Sequence, residues 1–347
     1  LLFACCVQAT SFAAPGLLPG SQQLIRERQQ QLLEQQNQRL EELQNLPAAP
    51  VAPQPAPAPD DVRCFTVERI QLHGVTLLSA AQQSALLEPF RGQCLGVEQL
   101  NSLLKTITDA YLARGYVTTR AYLPQQDLAD GVLEIRVVEG RLESLEGGEI
   151  ATPRELGMGF PGATGEVLNL RDLEQLVDQL NRLPSLQAEL QVLPGEVLGA
   201  SRVQLAGQRE KPWRLNANRN NDGLPSTGEQ QWGLGFDWDS PLGLADQLVL
   251  RGSGDTLSDS QRQSDSQSLI YSLPYGWWTV SYSYNQNSYR SQTEAAGFDF
   301  KQHGDSQTQQ LRAERVLQRD EVSKTAASIA AGHIRTRNYL EDALLDV

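Results

Sequence analysis

The sequence predicts two tandem α+β repeats followed by an antiparallel β-barrel with an apolar outer face, and three observations predict it. An amphipathic helical stripe recurs 73 residues on, from Leu100 to Leu173. Strand-like runs follow each stripe. From Trp213 onward the helical pattern stops, and alternating apolar and polar residues are joined by connections that take turns being short and long.

Composition narrows the function first. A chain of 347 residues is long for one ordinary core and suggests two to four units. Its formal net charge of -13 excludes a nucleic-acid partner, since phosphate binding needs clustered Lys and Arg. The three histidines, His73, His303 and His333, have no carboxylate or cysteine at ligand spacing, so no metal site is expected. No catalytic Ser, His and Asp set and no nucleotide-binding loop appears, so neither an enzyme nor a cofactor is expected. Paired carboxylates such as Glu41-Glu42 and Asp60-Asp61 read as solvated faces and linker ends.

Residues 1–13, within LLFACCVQATSFAAPG, read as the remnant of a secretory signal. Ser11-Phe12-Ala13 is a small-x-small site, with cleavage expected between Ala13 and Ala14. A lipoprotein signal ending at Leu2-Phe3-Ala4-Cys5 is the rival, disfavoured by the bulky Phe3. The mature chain then lies outside the cytoplasm, where disulfides persist. With Cys5 and Cys6 removed, Cys64 and Cys94 remain, and one bridge is the economical expectation. Closing that loop contributes on the order of 3 to 4 kcal/mol. A redox role would want a close C-x-x-C pair, which is absent.

Residues 21–45 contain no Gly or Pro, open on Ser21 as an N-cap, and place Leu24, Ile25, Leu32, Leu33, Leu40 and Leu43 on a sparse stripe. This predicts a long, mostly polar helix, either a solvated spacer or coiled-coil seam, or a helix housed in a water-filled cavity. Residues 46–63 carry six prolines between Pro47 and Pro59 and predict an extended tether.

The repeats are expected at 64–142 and 143–210. The first opens on CFTVERIQLHG as a half-buried strand, with Phe65, Val67 and the aliphatic part of Arg69 on one side and Thr66, Glu68 and Ile70 on the other. Its helix stripe is Leu100, Leu103, Leu104, Ile107 and Tyr111, stopped by Gly115; the second is Leu173, Leu176, Val177, Leu180 and Leu183, stopped near Pro184. Strands are expected at Tyr116 to Tyr122 and Val132 to Val138, then at Gln187 to Val192 and Arg202 to Leu205. Such a strand-helix-helix-strand-strand unit in tandem reads as an interaction array.

In residues 211–347, Trp232, Leu234, Phe236 and Trp238 alternate with polar and small residues, as do Trp278, Val280, Tyr282 and Tyr284. A soluble sandwich would show the same alternation. The connections favour a membrane barrel: 220–230 is long, SPLGLAD shorter, GSGDTLSDSQRQSDSQ long, LPYG tight, QNSYRSQTEAAGFDFKQHGDS very long and QRDE short. Strands of about 9 to 11 residues suit a bilayer.

The ordered combination resembles the two-partner secretion transporters, the hemolysin secretion/activation branch of the Omp85 superfamily. CFTVERIQLHG with GQCLG resembles the opening of a first POTRA domain, GYVTTRAYLPQQDLADGVLEIRVVEGRL its last two strands, and DSPLGLADQL the first periplasmic turn of the barrel. The resemblance implies an N-terminal plug helix at 21–45 resting in the lumen, tandem POTRA domains in the periplasm, and a transmembrane β-barrel in outer-membrane lipid. It implies a secreted partner exoprotein, captured through its N-terminal secretion domain and exported without ATP. Family barrels have sixteen strands, about seven are countable here, and the family's Val-Arg-Gly-Tyr loop motif is not found, so a truncated barrel is expected. An Omp85-type assembly factor is the alternative.

Overall fold

The computed structural model describes residues 64–347, apart from 129, 222, 224, 225, 256–261, 296, 297, 342, 346 and 347. The expected cleavage site at Ala13 and Ala14, the helix at 21–45 and the linker at 46–63 lie outside the described residues.

The opening stretch of the first repeat is not one strand. Phe65–Thr66 (β1) pairs with Cys94–Leu95 (β3) in a short antiparallel ribbon, and a disulfide joins Cys64 to Cys94 across a sequence separation of 30, with Cα atoms 5.2 Å apart. The Val67 N–H still donates to the Gln93 carbonyl at 3.1 Å, whereas the Glu68 and Arg69 N–H groups donate to the Gly131 carbonyl at 2.8 and 3.1 Å. The chain thus leaves the ribbon for the main sheet, which Arg69–His73 (β2) joins. Side chains alternate along a strand with a period of two, so this break resets the faces. Val67 and Ile70 are both buried and Phe65 is exposed, contrary to uninterrupted alternation.

Ala80–Leu87 (α1) follows, with a capping box between Ser79 and Gln82, and then Val97–Leu112 (α2). The second helix buries Leu103, Ile107 and Tyr111 against Leu133, Ile135 and Val137 of Val132–Val138 (β5). Each fully buried aliphatic side chain contributes about 1.5–3 kcal/mol. The expected strand at Tyr116 to Tyr122 shortens to Arg120–Tyr122 (β4). Tyr116 is instead held in a turn, donating its N–H to the Tyr111 carbonyl at 3.1 Å and setting its ring edge-on to Tyr111 at 6.3 Å. The sheet order is β2-β5-β4, with β2 parallel to β5 and β4 antiparallel.

The second repeat repeats the topology. Arg141–Glu146 (β6), Pro153–Gly159 (α3), Leu170–Asn181 (α4), Leu186–Pro194 (β7) and Ala200–Arg209 (β8) give a sheet of order β6-β8-β7. The α4 stripe of Leu173, Leu176 and Leu180, with Leu183 after it, is buried.

The repeats abut without a spacer. Leu168 and Leu170 N–H donate to the Gly140 and Gly115 carbonyls, both at 2.8 Å. Gly115 has φ +89°, and a Cβ there would come within 2.4 Å of Asn169 Oδ1, so both conformation and contact require glycine. Beside this joint, buried Glu139 accepts from the Thr76 and Leu77 N–H groups at 2.7 and 3.0 Å, from the Tyr111 hydroxyl at 2.8 Å and from the Thr76 hydroxyl. Burial opposes ionisation of this carboxyl, but the donors outweigh it and hold Glu139 below the usual carboxylate range.

The remaining strands form one antiparallel meander, β9-β10-β11-β12-β13-β14-β15-β16. They span Trp213–Asn220, Gln231–Asp239, Gln247–Asp255, Gln263–Tyr275, Trp278–Ala295, Phe298–Arg319, Lys324–Leu340 and Ala343–Leu345. Register fixes the faces. Leu215, Phe236 and Leu250 are direct partners, as are Ala217, Leu234 and Gly252. One step along, Gly235 meets Asn216 on one side and Arg251 on the other, and Asp237 meets Arg214. One face is therefore apolar, with Leu215, Leu234, Leu311 and Ile329 exposed, and the other polar.

The very long loop expected at 286–306 is mostly ladder. β13 runs to Ala295 and β14 starts at Phe298, paired continuously from Trp278↔Arg315 to Ala295↔Phe298. Gln, Ser, Asn and Tyr alternate there without an apolar face, so the segment reads as loop although its backbone is strand.

Candidate functional site

Two features face a chain approaching the repeats. The first is a free sheet edge. β4 offers three residues, whereas β7 offers nine. In an antiparallel pair, alternate residues turn their backbone groups away from the partner. Ala188 is such a residue, and Asn181 at the end of α4 takes both its groups. The Ala188 N–H donates to Asn181 Oδ1 at 2.6 Å, and Asn181 Nδ2 donates to the Ala188 carbonyl at 3.0 Å. The remaining edge runs from Leu190 to Pro194, beside exposed Val192, Leu193, Val197 and Leu198.

The second feature is the seam between α4 and the short turns of the meander. Gln175 and Gln179 lie one helical turn apart, 1% and 4% exposed, and their side chains donate to the Gly276 carbonyl, each at 3.2 Å. Gln179 also donates to the Trp278 carbonyl at 3.2 Å and the Thr279 hydroxyl at 3.1 Å. Gly276, at φ +54°, turns β12 into β13 and donates its N–H to the Met158 carbonyl at 2.8 Å. Arg182 reaches the Ser272 hydroxyl and the Ala245 carbonyl, and the Ser185 N–H donates to Asp239 Oδ2 at 2.9 Å.

Two ion-pair groups complete the seam. Glu155 takes two hydrogen bonds from Arg209, each 2.9 Å, and another from the Ser240 hydroxyl in the β10–β11 turn. Burial opposes its ionisation, yet Arg209 and Ser240 pull its carboxyl down to about 2. Asp178 accepts from Arg319 at 2.6 Å and Lys324 at 2.8 Å, and Arg319 also bonds Glu174 at 2.9 Å. Burial again opposes ionisation of Asp178, and the two cations hold it low. The turns at 240–246, 276–277 and 320–323 thus lie at the end of the meander that the second repeat holds. On the polar side of the seam, a cleft of about 430 Å³ is lined by Asp178, Asn181, Arg182, Thr279, Glu314 and Lys324.

Of the residues singled out in the sequence, Cys64 and Cys94 are together at the ribbon, remote in sequence from this seam. The glutamines and Arg182 gave no motif, and their one signal was polar residues at helical spacing beside an apolar stripe. Among the described residues no group of three or more His, Cys, Asp and Glu stands at metal-binding distance, and no helix is long and apolar enough to cross a membrane. The latter says nothing of strands.

Three family profiles match. Residues 65–140 match the ShlB-type POTRA domain, 137–194 a POTRA domain, and 199–347 the haemolysin secretion/activation protein ShlB/FhaC/HecB. The chain is 37% identical over 347 residues to the outer membrane transporter CdiB of Escherichia coli O6:K15:H31 (strain 536 / UPEC), covering 98% of this chain and 58% of that protein. It is 35% identical over 301 residues to the hemolysin transporter protein ShlB of Serratia marcescens, covering 87% and 52%. The solved structure of CdiB from Escherichia coli superposes with a TM-score of 0.79 at 36% identity, over 96% of this chain and 62% of that one. CdiB from Acinetobacter baumannii, at 24% identity and a TM-score of 0.65, shares the fold. The chain therefore spans about three-fifths of the length of the CdiB relative.

Proposed function

Because this chain belongs to the haemolysin secretion/activation family, the two-partner secretion transporters of the Omp85 superfamily, we propose that it secretes a large partner exoprotein of the hemolysin, adhesin or contact-dependent toxin type across the outer membrane. The observation that carries the reading is the pairing of an apolar outer face and a polar inner face on a sheet whose end at the turns 240–246, 276–277 and 320–323 is held by the second repeat. Exposed Leu and Ile suit lipid, and the polar face suits a wet lumen.

In this reading, residues 64–142 and 143–210 are POTRA domains in the periplasm, and 211–347 belong to the barrel. The N-terminal secretion domain of the exoprotein adds as a strand to the open edge Leu190 to Pro194, with main-chain hydrogen bonds for affinity. The cleft beside Asp178 and Lys324 lies on its path to the lumen. Residues 21–45 plug that lumen and leave it during transport, the linker 46–63 giving the reach. The signal is cleaved between Ala13 and Ala14, and the Cys64–Cys94 bridge staples the first domain. The relatives with substantial identity are named as transporters, which leaves an Omp85-type assembly factor the weaker reading.

Val192→Pro removes an edge N–H and the geometry an added strand needs. It is expected to reduce pull-down of the exoprotein's secretion domain at least about tenfold, the equivalent of ~1.4 kcal/mol. Undiminished capture by a V192P variant with native-like circular dichroism would overturn the edge as the recognition site.

A further inference from the structure

The outer side of the seam carries a cleft that secretion itself does not use. It measures about 320 Å³ and is lined by Arg114 just beyond α2, Arg171 and Asp172 of α4, Trp277 of the β12–β13 turn, and Arg315 and Arg319 of β14. Four guanidinium groups thus converge in a chain of net charge -13. Their charges are unequally matched. Arg171 pairs with Glu174 at 2.8 Å, and Arg319 with Glu174 and Asp178. Arg114 and Arg315 form no ion pair among the described residues: Arg114 donates to the Ala110 carbonyl, and Arg315 lies over the Trp278 ring, 5.3 Å from its centroid. Asp172 is the acid in the cleft wall; burial, and then Glu166, push its carboxyl up to about 6.

Register places this cleft on the apolar side. Trp278 partners Arg315, Val280 partners Ala313, and Tyr282 partners Leu311, so Arg315 shares a face with Ala313 and Leu311. Exposed Tyr275 and Leu317 flank it, and exposed Trp213, Trp238 and Leu242 stand at the same short-turn end of the sheet. Aromatic side chains at the ends of membrane strands mark the headgroup level. Guanidinium is the side chain best matched to phosphate oxygens, and a basic pocket at that level suits an anionic lipid head.

We propose that this cleft binds the phosphodiester of an anionic phospholipid headgroup from the leaflet at the short-turn end, with Arg114 and Arg315 as its principal donors. The proposal rests on the reading of the meander as membrane-embedded. Arg114 belongs to the first repeat, Arg171 to the second and Arg315 to the barrel, so one bound headgroup ties all three to the membrane plane.

The test uses the full chain, exchanged into detergent with added phosphatidylglycerol or phosphatidylcholine, and reads retained lipid by native mass spectrometry. Co-flotation with vesicles checks membrane insertion separately, so failure to insert and failure of the cleft are distinguishable. Phosphatidylglycerol is expected to be retained over phosphatidylcholine, and R114Q/R315Q to lose about tenfold of that retention, as deletion of charged hydrogen bonds implies. R114K/R315K keeps most of it, and R202Q, at an exposed side chain of the central strand β8, keeps all. Equal retention of the two lipids, unchanged retention by R114Q/R315Q, or displacement by equimolar inorganic phosphate, which would mark a free-anion site, overturns the proposal.

Discussion

The two repeats share a fold and differ in what the second side of their long helix meets. With the 73-residue offset, Leu176 and Leu180 of α4 correspond to Leu103 and Ile107 of α2, and all four are buried. The outward positions diverge. Gln175 and Gln179 correspond to Ser102 and Thr106, where the Thr106 hydroxyl merely donates to the Ser102 carbonyl. Arg182, which reaches β12 and the β10–β11 turn, corresponds to exposed Asp109. The apolar stripe builds each domain, and the polar face decides which domain is fastened to the membrane sheet. The first domain has a covalent staple where the second has its neighbour.

That contrast is breakable from both ends. The largest expected effect is on the first repeat. Cys64→Ser with Cys94→Ser removes a loop closure of 30 residues and is expected to cost ~3–4 kcal/mol. Hydrogen exchange should accelerate in β2, β5 and α2 and leave α4 unchanged; equal acceleration in both repeats would mean that they unfold as one unit. On the second repeat, Gln175→Ala with Gln179→Ala deletes the hydrogen bonds to the β12–β13 turn. At about 0.5–1.5 kcal/mol each net, the pair should weaken docking by ~2 kcal/mol, read as a broadened spin-label distance between α4 and that turn. The double variant of Ser102 and Thr106 should do neither.

The smallest effect is a pH effect. Glu155 and Gln82 hold the same capping-box position of α3 and α1, but only Glu155 titrates. Its folded pKa of about 2 lies below the ordinary 4.5, so its stabilisation is complete above pH 4.5 and disappears as pH falls toward 2. At pH 4 the loss is at most about 1 kcal/mol. Protection factors in α3, referred to the slower intrinsic exchange in acid, should fall on acidification, and Glu155→Gln should flatten that response; an equally acid-sensitive E155Q variant would reassign it to another carboxyl.

Hydrophobic periodicity made the helices legible, because Leu103 or Leu176 must face a core. It made the first barrel strands legible too, since Leu234 and Phe236 alternate with Gly235 and Asp237. It did not reveal the break at Val67–Glu68, which arises from two competing carbonyls, Gln93 and Gly131, that only the folded chain brings together. The docking face of α4 was equally silent, because glutamines on a helix satisfied by backbone carbonyls look like glutamines satisfied by water. The polar half of β13 and β14 read as loop for a related reason: a ladder with water on both sides imposes no pattern on its side chains.

That ladder also sets a height. At about 3.4 Å per residue, the 22 residues of β14 extend roughly 75 Å, and a strand tilted by about 45° needs only about 9–11 residues to cross a hydrocarbon core ~30 Å thick. Half of the hairpin therefore rises as a parapet above the lipid, stiffened by paired backbone where a loop would sway. Its outline is fixed by the backbone ladder, with no apolar packing pattern asked of its side chains.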